Sequence, residues 1–116
     1  MLTSNPRLFV RVFHILFVGG LFLYIGISQK NIPLFMYPFM VGLGLIIILY
    51  HCYKTYIKLI SKQNPWVNYI HIILIGPLLM YIGYNKTDTP RYAFELLLML
   101  GMAAIGYHGY YLLLNQ

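Results

Sequence analysis

Four long apolar runs, at residues 8–27, 33–56, 66–84 and 91–114, divide the chain, and short polar stretches at 28–32, 58–65 and 85–90 join them. Each run approaches the ~20 residues that a helix needs to cross a ~30 Å hydrocarbon core. Pro33, Pro65 and Pro90 stand at or just before the starts of the last three runs, where a missing N–H costs least. The pattern predicts four membrane-spanning helices. The first run has Arg7 and Arg11 at its start and no small-residue cleavage site at its end, so it reads as a retained helix.

Composition agrees. The chain has 116 residues, 60% of them hydrophobic and 9% charged, against roughly 25% charged in an ordinary soluble domain. Its mean hydropathy is +0.72. A soluble domain of this size buries only ~60% of the surface its unfolded chain exposes, too little to hide so much apolar area. Disorder is excluded on the same ground, and a disulfide scaffold because Cys52 is alone. The lipid bilayer is the expected partner.

The formal charge of +6 sets eight Lys and Arg against Asp88 and Glu95 alone. The basic residues sit at the ends of apolar runs, where they act as topology signals and headgroup contacts, so nucleic acid is not expected. Arg7, Arg11, Lys54, Lys58 and Lys62 share one face with both termini, and Lys30, Lys86 and Arg91 take the other. The richer face predicts a multi-pass protein with both termini cytoplasmic. Trp66 and several tyrosines near the run ends suit an interfacial aromatic belt.

An offset of 57 residues uncovers a repeat. Ile15, Gly19, Leu21, Tyr24, Ile25 and Gly26 recur as Ile72, Gly76, Leu78, Tyr81, Ile82 and Gly83. Pro33, Leu43, Gly44, Ile48, Tyr50 and Tyr53 recur as Pro90, Leu100, Gly101, Ile105, Tyr107 and Tyr110. The register also carries His14 onto His71 and His51 onto His108, and Asn5-Pro6 matches Asn64-Pro65 after a two-residue shift. The expected fold is therefore all-α: residues 1–116 form a single transmembrane domain, a four-helix bundle of two tandem two-helix repeats, about 5–59 and 64–116. Each repeat spans the membrane twice, so both enter it the same way and a pseudo-two-fold axis runs along the membrane normal.

All four histidines fall inside these spans, one per helix. A titratable group at that depth is costly unless it is neutral and partnered. At 1.5 Å per residue, His14 and His71 lie about 10 Å from the basic side, and His51 and His108 about 5–8 Å. A four-histidine layer near the cytoplasmic side follows. Gly44 and Gly101 lie seven residues before His51 and His108 on the same helical faces, and Arg11 and Lys54 lie three residues from His14 and His51.

The first use for such a layer is b-type haem in electron transfer. A bundle holds haem between imidazoles of facing helices, with glycine allowing close approach of the porphyrin. The pairs would be His14/His71, the preferred axial pair, and His51/His108; Gly44 and Gly101 would open slots, and Arg11 and Lys54 would meet propionates. The layout resembles the bis-histidine arrangement of membrane cytochromes b, although those with four histidines hold two haems on opposite sides. The second use is a proton or ion channel, with the four imidazoles as gate or relay and Tyr50, Tyr107 and Thr55 at the mouth. A third is direct ligation of zinc or copper by the same four rings, without the usual carboxylate shell. The plainest reading is a structural histidine–tyrosine network, drawing on Tyr50, Tyr53, Tyr107 and Tyr110.

Other signals add less. Glycines at 19–20, 42–44 and 101–109 suit close helix packing, and Gly19 and Gly76 suit helix contacts or a homo-oligomer seam. Asn85-Lys86-Thr87 fits a glycosylation acceptor but lies in a very short loop against the membrane. No catalytic constellation is present, so an enzyme activity is not argued.

Overall fold

The computed structural model describes residues 6–114, so Asn5 of the Asn-Pro match lies outside the described residues. Four helices are long and apolar enough to cross a membrane: α1 (Pro6–Asn31), α2 (Met36–Ile60), α3 (Trp66–Asp88) and α4 (Arg91–Leu113). The protein is an all-helical, multi-pass membrane protein. Large apolar side chains such as Leu16, Ile27, Ile46, Leu49, Ile73 and Met99 are exposed, as lipid-facing positions require.

The helix ends differ from the ends of the apolar runs. α2 starts at Met36, because Pro33 and Leu34 form a turn whose carbonyls accept the Met36 and Tyr37 N–H groups. It continues to Ile60 and so takes in Lys58, whose charge suits a helix C-terminus. Pro65 and Pro90 each precede a helix, and their carbonyls receive the N–H groups of Tyr69 and Ala93. The Asn64 side chain accepts the Trp66 N–H and caps α3.

Neither α1 nor α3 is α-helical throughout. A wide π-helical turn occupies His14–Gly19 in the first and His71–Ile75 in the second. In α3 the wide turn runs just ahead of Gly76-Pro77, where the proline ring would otherwise press on the preceding turn. Both helices end in a short tight turn, Gln29–Asn31 and Lys86–Asp88.

The described residues divide into two compact units, one of residues 6–29 with 94–114 and one of residues 30–93. In the first unit α1 packs antiparallel on α4. A Cβ on Gly19 would meet Ile105, and one on Gly26 would lie 2.6 Å from the Leu98 Cβ. Phe22, Ile25, Phe94 and Leu97 are buried there. In the second unit α2 packs antiparallel on α3. Gly44 faces the Gly76 carbonyl, and a Cβ on it would lie 2.7 Å from that oxygen. Tyr37, Met40, Leu79 and Ile82 are fully buried in this unit. Both interfaces depend on glycine to bring helix backbones together.

Candidate functional site

Each unit holds one pair of histidines in ring contact. In the first, His14 of α1 and His108 of α4 lie 4.4 Å apart between centroids with their planes tilted by 30°. In the second, His51 of α2 and His71 of α3 are stacked at 3.9 Å and 15°. The register of antiparallel packing makes these pairs: what sets Gly19 on Ile105 also sets His14 on His108, and what sets Gly76 on Ile48 sets His71 on His51. The pairs expected from the sequence, His14/His71 and His51/His108, join residues of different units.

The hydrogen bonds fix which ring nitrogen carries the proton. Nδ1 of His14 lies 2.8 Å from the Val10 carbonyl, and Nδ1 of His71 lies 2.8 Å from the Val67 carbonyl. A carbonyl only accepts, so both rings donate from Nδ1 and present a lone pair at Nε2. Arg11 Nη1 lies 3.1 Å from Nδ1 of His108. A guanidinium only donates, so Nδ1 of His108 accepts and its neutral ring carries the proton on Nε2. Asn68 Nδ2 donates in the same way to Nδ1 of His51 across 2.7 Å. Each contact pair therefore joins imidazoles of opposite tautomer.

The surroundings differ in charge. The Arg11 guanidinium lies over the Tyr111 ring, 4.8 Å from its centroid, and 6.0 Å from that of Tyr107, a cation–π setting. Asn68 takes the corresponding place beside His51, neutral and 4% exposed. Its Oδ1 is buried with no partner among the described residues, as is Thr55 Oγ1, one turn beyond His51 on α2. Lys54, three residues after His51, is half-buried. Tyr50 and Tyr107 present their rings edge-on to His51 and His108, at 5.2 and 5.1 Å.

No known protein family, curated protein or solved structure matches this chain. Its chemistry has to be read from the two pairs themselves.

Of the residues expected at the site, Arg11 joins the first pair and Tyr50 and Tyr107 flank the rings. The space beside Gly44 is taken by Gly76 and Met80, and that beside Gly101 by Phe22. Among the described residues no group of three or more His, Cys, Asp or Glu is arranged to hold a metal ion. A porphyrin does not fit between the rings of either pair, because two iron–nitrogen bonds of about 2 Å would hold the centroids roughly 6 Å apart. Asn68 and Tyr111 stand in the sequence as the uncharged repeat counterparts of Arg11 and Lys54 and were not counted among the site residues. Asn68 precedes His71 by three residues, as Arg11 precedes His14, and Tyr111 follows His108 as Lys54 follows His51.

Proposed function

We propose that the protein is a small proton-conducting membrane protein in which the imidazole pairs relay protons. The observation that supports this is the opposed tautomers within each pair, an Nε2 lone pair on His14 and His71 and an Nε2–H on His108 and His51. The first kind of ring takes up a proton at its Nε2 lone pair and gives it back without its Nδ1 anchor having to break, and the second offers a hydrogen bond from Nε2–H to a proton carrier. Imidazole is the side chain suited to this near neutral pH, and at membrane depth such groups are expensive to keep without a use.

The test is proton flux into liposomes that hold the purified protein and a pH-sensitive dye. Flux above protein-free liposomes, lost in the His51→Phe/His71→Phe double variant, is the expected result. Background flux from folded wild type would overturn the reading.

Haem is the second reading, and one feature favours it. His14 and His71 each give Nδ1–H to a backbone carbonyl, as metal-bound histidines do, which directs Nε2 toward a ligand. Haem bound at either ring would supply one-electron chemistry, while that anchored imidazole would serve as its iron ligand. Purified protein from haem-replete cells should then show a Soret band and reducible α and β bands. Their absence would remove this reading.

Two structural expectations belong to the same proposal. Tandem duplication is supported by matching details 57 residues apart: the π-helical turns, the histidine-to-carbonyl bonds, and the backbone of Gln29 and Lys86. The two-fold relation expected between the halves follows from it. Cytoplasmic termini are supported by the basic residues on that face.

A further inference from the structure

We infer that the second histidine pair is the hydrated one, where Asn68 and Thr55 hold water against the rings, and that Arg11 keeps the first pair closed. The inference rests on the proton-relay reading and says where in the protein the relay meets water.

Arg11 and Asn68 both offer a planar fork to a histidine. One arm of each donates to Nδ1, of His108 and of His51 respectively. Beyond that arm they differ. The guanidinium carries further donors and lies over Tyr111, so the first pair has a tethered cation against it. The Asn68 amide ends in an oxygen that is buried and has no partner among the described residues. Turning the amide over would exchange the orphan oxygen for an orphan N–H, so one arm lacks a partner in either orientation.

Thr55 adds a second such atom one turn away, and Tyr37 OH adds a third four turns along α2 in the other direction. All three belong to the unit of residues 30–93. A buried polar group left unpaired costs about 1–3 kcal/mol, and the ordinary remedy inside a protein is bound water. Water beside Asn68 and Thr55 can donate to both oxygens.

This water carries protons and discriminates against metal cations. A hydronium within it gives its proton to the Nε2 lone pair of His71 and remains as water; the imidazolium later returns the proton to another water. Tyr50 touches the His51 ring, and the nearest titratable residues along the two helices include Lys54 on α2 and Tyr69 on α3. The one carboxylate of this unit, Asp88, lies seventeen residues from His71 at the far end of α3, roughly 25 Å away. Lys54 therefore opposes a resident cation, and a proton escapes that penalty by hopping instead of dwelling.

Water-edited solid-state NMR of the full chain in lipid bilayers, with 15N-labelled histidine, tests the hydration directly. The His51 and His71 signals should build up from water magnetisation faster than those of His14 and His108. Equal build-up, or the reverse order, overturns the inference even if the protein conducts protons. In liposomes, Asn68→Leu and Thr55→Val should each lower proton flux by about tenfold or more, and Arg11→Asn should raise it. Unchanged flux in both of the first two variants, with wild-type flux present, also overturns it. No flux from wild type with the expected NMR order defeats the relay reading and leaves the hydrated site standing.

Discussion

Arg11 donates a guanidinium N–H to Nδ1 of His108 across 3.1 Å, and the bond exists only while that imidazole is neutral. Protonating His108 puts an N–H where the bond needs a lone pair and sets two cations side by side. Relief from a carboxylate is remote, since Glu95 lies thirteen residues back along α4, about 20 Å away. His14, in ring contact with His108, adds a third charge if it too is protonated.

Stability should therefore be present at neutral pH and fall as the pH drops through the range where imidazole titrates. Arg11→Gln keeps an N–H donor for His108 and removes the charge, so it should lose less stability over the same interval. Thermal melts in detergent at neutral and mildly acid pH make the comparison. Equal losses in the two proteins would mean that the guanidinium is not what acid disturbs.

Gly26 and Gly42 should answer very differently to alanine. A Cβ on Gly26 would lie 2.6 Å from the Leu98 Cβ and 2.9 Å from its Cα, so helix backbones would have to part. Gly26→Ala should cost about 1–3 kcal/mol. At Gly42 nothing lies within 4 Å of the added atom. Gly42→Ala should be neutral or gain up to ~1 kcal/mol from helix propensity. Melting temperatures of the two variants check the contrast.

Gln29 and Lys86 close the long α-helical parts of α1 and α3 with φ of 53° and 54° and ψ of −128°. Side chains with a Cβ rarely take that conformation, and glycine takes it freely. Gln29→Gly should stabilise the protein by about 1 kcal/mol, and Gln29→Ala should bring no gain. A melt of Gln29→Gly below wild type would show that the turn is held by the glutamine side chain instead.

Sided labelling tests the orientation. In a Cys52→Ser background, Lys62→Cys should react with a membrane-impermeant thiol reagent only from the cytoplasmic side, and Lys30→Cys only from the other. The opposite result would invert the orientation while leaving four spans.

The four spans were legible in the sequence because crossing a bilayer imposes a length and a polarity on each segment, whatever its neighbours do. Helix ends were less so. The second helix starts at Met36, three residues inside its apolar run, because Pro33 and Leu34 form a turn, and it continues past the run to Ile60 because its backbone bonds can continue into the interface. The wide turns at His14–Gly19 and His71–Ile75 were not legible, since neither has a distinctive composition.

The sequence by itself determined that four histidines fall within the long apolar segments, one per helix, with basic residues beside two of them. It could not say which rings meet. Contact between helices is decided by interhelical register, and that register is set by a few glycine-mediated approaches such as Gly19 to Ile105 and Gly44 to Gly76. Tertiary structure alone paired His14 with His108 and His51 with His71, gave Asn68 a histidine to bond, and left its oxygen buried without a partner. Hydropathy is a property of a segment, whereas a ring pair is a property of two segments and the surface they share.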